Sequence, residues 1–388
     1  MAGGGRIMLK TALYEVKLYL DGQLIGDCRR LAQNLQYSRK RTKVGADSID
    51  FTVNDVLFNE WCIQRGVTIY DLLKPLALEC RIVRNGVELV GGFLATMPGY
   101  QPLQTSANLA LRFDGYLNLL AGVYIRNTGT NLPRGTITGK AGTLVSNMIQ
   151  FANTVSSNAG KSYGFTAGTI DNMASITHTF DNYKTVKDWI CDRCDNATGA
   201  GPFDVYFYPD KTYDVKKDSN FGDVISDWVA FYPMMLNNTS VASITASEVG
   251  DFASAVMALG AGEVSANSNE NTAVFAFTQD ASAVSKYGYF ETLYQDSSVS
   301  TQSVLLRNAQ AELWNREDPI WQPQITLKGI QVEPKPTGSN KIWIGDTITI
   351  SNSIDLTGMT NGSFRVNELA VAVSANGDEN ITPVLERI

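Results

Sequence analysis

Apolar and polar residues alternate through Ala12–Leu20, and a period of two sends successive side chains to opposite faces of a strand. Asp21-Gly22 predicts a hairpin turn into Gln23–Ile25. Alternation returns in Ser48–Val53, with Ile49, Phe51 and Val53 on one face. Val56–Gln64 has the spacing of a short helix ending near Gly66. Leu78–Val83 and Val87–Leu94 flank Asn85-Gly86, the strongest short hairpin signal in the chain. Leu109, Leu111 and Phe113 mark one more strand. Together these predict a small, strongly twisted antiparallel barrel or sandwich of roughly 110 residues.

The period then changes. Leu144, Met148, Phe151 and Val155 recur at helical spacing after a Gly-rich turn at Gly139–Gly142. Thr185 starts the clearest helix: Thr185 and Asp188 resemble a capping box, and Val186, Trp189, Ile190 and Cys194 share one apolar face, with Gly199 as the stop. A hairpin follows, Phe203–Tyr208 and Thr212–Val215 about Pro209-Asp210. Short strands are expected at Val256–Leu259 and Val274–Phe277, with Gly260–Asn271 a polar loop between them. Ser303–Asn315 reads as a helix with Val304, Leu305, Ala309, Leu313 and Trp314 apolar, ended by Pro319 and Pro323. The last segment returns to strands: Gln324–Ile330, a hairpin of Ile342–Ile344 and Thr347–Ile350 about Gly345-Asp346, then Phe364–Val373 and Ile381–Leu385 about Asn376-Gly377. Pro334 and Pro336 mark an edge or a loop.

The expected fold class is α+β and β-rich, with β domains at both ends and mixed units between. The expected division is 1–118, an N-terminal barrel; 119–216, an inserted α+β domain; 217–318, a second mixed domain with a connecting helix; and 319–388, a C-terminal barrel.

Composition sharpens this picture. The chain has 388 residues, of which 44% are apolar and 18% charged, with a net charge of −7. Its apolar and aromatic content excludes a disordered chain. The mild acidity, spread along the chain, argues against a protein that tracks nucleic-acid phosphates. No stretch approaches the roughly 20 apolar residues of a membrane helix. The polar fraction is rich in Ser, Thr, Asn and Gly, which favours strands and turns over solvated helices. The five cysteines, Cys28, Cys62, Cys80, Cys191 and Cys194, are too few and odd in number for a disulfide framework. The opening residues, with Gly3-Gly4-Gly5 and an early Glu15, lack the apolar run of a signal peptide, so folding in a reducing cytoplasm is expected.

Candidate chemistry is sparse. His178, the chain's one histidine, lies in an alternating stretch without a nucleophile motif nearby and cannot build a multi-His metal site. Cys191 and Cys194 form a C-x-x-C, but in mid-helix, where no helix N-terminus lowers a thiol pKa; a structural role is the simpler reading. Gly135–Gly139-Lys140-Ala141 has one residue too few between its glycines for a phosphate loop, and Ala where the magnesium-binding hydroxyl belongs. Gly260-Ala261-Gly262 lacks the third glycine of a dinucleotide fingerprint. Paired carboxylates remain open, since glycoside hydrolysis needs two acids at a distance that no sequence spacing defines. Asp192, Asp195, Asp204 and Asp210 are candidates by charge alone, while Asp188 is expected to cap and Asp210 to turn. No catalytic, cofactor or metal residue is assigned. The 16 Tyr, 16 Phe and 6 Trp suit cores and interfaces first, and sugar platforms second.

Four stretches carry a resemblance. They are Val44–Val53 with Thr68–Pro75, Cys80–Gly86 and Gly92-Phe93-Leu94; Arg112-Phe-Asp-Gly-Tyr116 with Leu117–Leu120; the Thr185–Cys194 helix with the Phe203–Val215 hairpin; and Ser303–Asn315, Ile325–Ile330, Trp343-Ile-Gly-Asp346-Thr-Ile, Phe364–Val371 and Ile381–Leu385. Their order resembles the baseplate hub family of tailed bacteriophages, the structural module of tail-associated lysins and late-control-type tail proteins. The ending, helix, strand, Gly-Asp-Thr and strand, is its most specific part. The resemblance implies similar barrels at the two ends of the chain, a homotrimer placing six barrels in a ring, and a non-enzymatic virion component of the tail tip. It also implies partners: a sixfold distal tail protein, the C-terminus of a tape-measure protein, other tail-tip or fibre proteins, and DNA passing through the lumen without specific binding. No cofactor and no membrane span are implied, and synthesis is expected in the host cytoplasm. The alternatives are a β-rich glycan- or peptidoglycan-degrading enzyme using paired carboxylates and a tail-tip receptor-binding protein.

Overall fold

The computed structural model describes residues 12–98, 108–126, 135–180, 184–195, 202–232, 241–249, 252–262, 273–314, 316, 320–328, 332–338, 341–352 and 362–388. The first elements are β1 (Tyr14–Leu20), β2 (Gln23–Asp27), β3 (Gln33–Lys40), β4 (Ser48–Asn54), α1 (Asp55–Ile63), α2 (Ile69–Leu72), β5 (Leu78–Arg84), β6 (Val87–Leu94) and β7 (Asn108–Gly115). Alternation works as expected: Ile49, Phe51 and Val53 of β4 are buried, as are Leu109, Leu111 and Phe113 of β7. Phe51 and Phe113 stack at 5.7 Å between ring centres. Asn54 caps α1 by accepting from the Leu57 amide at 3.1 Å. Asn85 and Gly86 both take positive φ, 50° and 81°, as the tight β5–β6 turn requires.

The second group comprises β8 (Gly135–Lys140), α3 (Ala141–Asn158), β9 (Thr166–Ile170), β10 (Ser175–Phe180), α4 (Val186–Asp195), β11 (Phe203–Phe207) and β12 (Thr212–Lys217). The expected turn at Gly139–Gly142 is instead the end of β8 running directly into α3. β8 pairs with β10, and this pairing overrides the local preference of its glycines. Val186, Trp189, Ile190 and Cys194 are buried on one face of α4, as the spacing predicts. The Gly199 stop lies outside the described residues.

The third group comprises β13 (Val224–Tyr232), β14 (Val241–Val249), β15 (Ala255–Leu259), β16 (Phe275–Gln279), α5 (Ala281–Tyr287), β17 (Glu291–Gln295) and α6 (Gln302–Trp314). The last comprises β18 (Ile320–Lys328), β19 (Glu333–Pro334), β20 (Lys341–Ile342), β21 (Thr347–Asn352), β22 (Gly362–Val373) and β23 (Glu379–Arg387). Pro323 does not merely end a helix: it sits inside β18, opposite Ala246. The expected hairpin about Gly345-Asp346 is absent. β20 pairs with β19, whereas β21 pairs with β22 and β13.

The β-rich α+β class holds. Both ends of the chain enter one large sheet, in the order β14-β18-β23-β22-β3-β4-β7-β6-β5-β1-β2, with β21 joined to β22 and β13 to β21. The ends meet where β3 pairs antiparallel with β22, Tyr37 opposite Val371 and Leu35 opposite Val373. No described pairing closes either end into a barrel. One edge of β22 serves β21 in its first half and β3 in its second. Its register against β23 slips between Val366 and Glu368, a bulge at the change of partner. One core joins Leu18, Tyr37 and Phe113 to Leu327, Phe364 and Leu385. A second core lies under α3 and α4, and a small third one lies under α6.

Candidate functional site

The structure gathers several of its buried charges where the first, second and last groups of elements meet. Arg39, near the end of β3, and Arg41, just past it, are 1% and 2% exposed. Arg39 donates to Asp47 at 2.6 Å and to the Phe207 carbonyl of β11 at 3.1 Å. Its guanidinium lies 4.5 Å from the centre of the Tyr206 ring, and the Tyr206 hydroxyl accepts from the Trp343 indole at 3.0 Å. Arg41 donates through Nε to Asp204 of β11 at 2.9 Å, pairs with Asp218, and reaches Asn367 at 3.3 Å. Asn367 stands in the β22 bulge and also donates to Glu386 at 2.9 Å. Asp218 is shared with Arg365 of β22. Thr42 completes the joint, exchanging hydrogen bonds with the Val205 backbone at 2.7 and 2.9 Å.

Burial pulls the Asp204 and Asp47 carboxyls up, against the lowering pull of Arg41 and Arg39. For the half-buried Asp218, Arg41 and Arg365 outweigh burial and hold the carboxyl below its ordinary value. The Gly-Asp-Thr stretch forms a second joint. Asp346 is fully buried and accepts from the Trp343 and Asp223 amides, both at 2.9 Å. Lys341 lies 2.6 Å from Asp223 and 3.3 Å from Asp346. A third joint ties the two ends of the chain: Arg84 of β5 grips Glu379 of β23 through two hydrogen bonds, 2.6 and 2.9 Å, and Tyr14 donates to the same carboxylate.

A cleft of about 480 Å³ opens between the β1–β2 turn and the loop after α3, lined by Glu79, Tyr116, Lys161, Tyr163 and Lys211 among others. Glu79 accepts from Arg81 at 2.7 Å and Tyr116 at 2.6 Å and pairs with Lys211 at 2.7 Å. Burial raises its carboxyl, but Lys211, Tyr116 and Arg81 together hold it below its ordinary 4.5. A depressed carboxyl contributes stability that is complete above about pH 4.5 and is lost as pH falls through the lower folded value. The urea midpoint of the wild type is therefore expected to fall more steeply below pH 4.5 than that of Glu79→Gln. Parallel profiles would contradict this assignment.

The residues singled out by sequence do not converge. His178 lies in β10, opposite Ile137. Cys194 is buried and Cys191 half-buried in α4, both as free thiols. Burial pushes the Cys191 thiol up to about 11, away from reactivity. Thr185 caps α4 by accepting from the Asp188 amide at 3.0 Å, while the Asp188 carboxylate accepts from the Thr185 hydroxyl at 2.7 Å, where a capping box would engage the Thr185 amide; Asp210 accepts from the Thr212 amide in the expected turn. Asp192 pairs with Lys184. Among the described residues no group of His, Cys, Asp or Glu is arranged to hold a metal, and no helix is long and apolar enough to cross a membrane. Asp204, a candidate by charge alone, is central for another reason: its arginine lies 163 positions away. No local sequence signal could have found that pairing.

The chain has the fold of phage tail proteins. A tail protein from Neisseria meningitidis MC58 matches at TM-score 0.58 and 13% identity, over 96% of both chains. The 43 kDa tail protein of prophage MuSo2 from Shewanella oneidensis matches at TM-score 0.61 and 10% identity, over 96% of this chain and 98% of that one. Prophage tail protein gp18 from Listeria monocytogenes EGD-e matches at 0.52 and 11%, over 95% and 94%. No protein-family model and no curated protein matches the chain.

Proposed function

We propose that this chain is a structural hub of a phage tail tip, acting as a homotrimer that continues or closes the tail tube. In this reading it is not an enzyme. Its two end segments, 1–118 and 319–388, are the tube domains, each barrel-like in the assembled ring, and 119–216 and 217–318 lie between them, the latter lending β13 and β14 to the shared sheet. The hub nucleates tail assembly, contacts the sixfold distal tail protein and the tape-measure C-terminus, and lets DNA pass without specific binding. It resides in the virion.

The observation that carries the reading is the merging of both chain ends into one sheet through β3 and β22. That sheet path finishes at two unlike strands, β2 and β14. Unlike edges suit a head-to-tail contact, which closes into a ring when the rotation allows. The tail proteins that share this fold over nearly their whole lengths lend further support. So do the charged joints. Asp204 and Asp218, the acids drawn together, are engaged by arginines and hold segments in place. The test is native mass: the reading requires three copies of 42.3 kDa in one particle.

A further inference from the structure

Nothing in the tail-hub reading uses the cleft of about 480 Å³ between the β1–β2 turn and the loop after α3. Its volume lies within the roughly 300–1,000 Å³ of small-molecule sites. Two of its wall residues hold a backbone conformation that disfavours them. Leu76 takes φ +63° and Lys211 φ +69°, a region that bulky L-residues rarely enter. Leu76 is 53% exposed, so burial of its side chain does little to offset the strain. Lys211 donates its amide to the Tyr208 carbonyl at 2.9 Å, in the turn position where glycine is the usual occupant. From there its ammonium reaches Glu79 of β5 at 2.7 Å. Strained residues of this kind cluster where a site needs the side chain.

The charges select what the cleft can take. Glu79 is already engaged by Lys211, Arg81 and Tyr116, and Asp21 pairs with Lys161 at 2.9 Å between the two walls. An anion would have to draw Lys211 away from a buried carboxylate, at a heavy cost. A cation would meet Lys211 and Arg81 already seated on the acid. A hydrocarbon would strip water from the unfilled positions on both pairs. A neutral ligand rich in hydroxyls does none of these. A carboxylate offers about four acceptor positions and an ammonium about three N–H donors, so hydroxyls bond to each pair without breaking it. Phe93, Leu119 and Tyr163 supply apolar wall for the C–H face of a sugar ring.

We propose that this cleft binds the end of a neutral saccharide. The inference does not depend on the number of copies in the particle, so it stands or falls separately from the trimer. Saturation-transfer NMR on the full chain at pH 6 tests it with neutral maltose, cellobiose and N,N′-diacetylchitobiose, against anionic glucuronate and cationic glucosamine. At least one neutral disaccharide is expected to bind, and the charged sugars more weakly. Leu76→Gly and Lys211→Gly each remove a wall side chain and place glycine where its φ is at ease. Each should weaken binding at least tenfold, while Leu76→Gly keeps a urea midpoint close to that of the wild type. The proposal is overturned if no neutral disaccharide binds, if the charged sugars bind as tightly as the neutral ones, or if both folded glycine variants bind like the wild type.

Discussion

Arg41→Met is expected to cost about 3–5 kcal/mol of stability, because it leaves a buried carboxylate without its cation. Asp204 is 1% exposed, and Arg41 is the cation paired with it. Removing the guanidinium also releases Asp218 and Asn367, which it holds from the second and last segments. The pH dependence has a definite sign. Without Arg41, burial acts on Asp204 unopposed by its cation and its folded pKa rises further above the ordinary 3.8. A raised acid costs no stability while protonated in both states, and costs progressively more as pH climbs above 3.8 toward the folded value. The deficit of the variant should thus be smallest in acid and grow toward neutrality. Arg41→Met with Asp204→Asn should recover much of the loss, since both charges are then gone. Urea midpoints from pH 3 to 7 check both statements. A loss under 1 kcal/mol at pH 7 would remove this joint from the account.

Gly222→Ala is the second large effect, about 2–5 kcal/mol. Gly222 takes φ +81°, a region that costs an L-residue about 1–2 kcal/mol. An added Cβ would also run into the Gly345 carbonyl group and the Asp346 amide, which are backbone and cannot swing aside. Overpacking of that kind adds about 1–3 kcal/mol. Gly345 itself sits at φ +83° against the Phe221 ring, so the two glycines let two chain passages cross in contact. Asp346 then ties the crossing to Asp223. Gly86→Ala offers a contrast: its φ is similarly positive, but a Cβ there meets open space, so only the backbone cost applies. Unfolding midpoints of the two variants should differ accordingly, and equal losses would refute the crossing argument.

Much of the fold could be read from the sequence where a strand has one wet face. β1, β4 and β7 alternate cleanly because half of each faces the core, and Asn85-Gly86 announces its turn through φ alone. α4 could be read from its apolar stripe and its Thr185 cap. β3 was not. Its residues Ser38 and Arg39 are polar yet buried; Ser38 meets the Ser48 hydroxyl across the strand pair, and Arg39 reaches the Phe207 carbonyl 168 positions away. Strand β8 was hidden by its two glycines and is held by β10. The Gly345-Asp346 stretch imitates a hairpin because turn residues stand between two apolar runs. What decides its path is the burial of Asp346 against Asp223, a contact spanning 123 positions. The joints between segments share this origin: each consists of residues ordinary in their local setting, brought together only by the folded chain.

Whether three copies close a tube at the tail tip, as proposed, is tested most directly by the native mass of the purified chain with negative-stain images of the same sample. The account predicts a particle of three copies, 42.3 kDa each, with threefold averages showing a central hole. A particle that stays monomeric at every concentration, both alone and mixed with the distal tail protein, would contradict it.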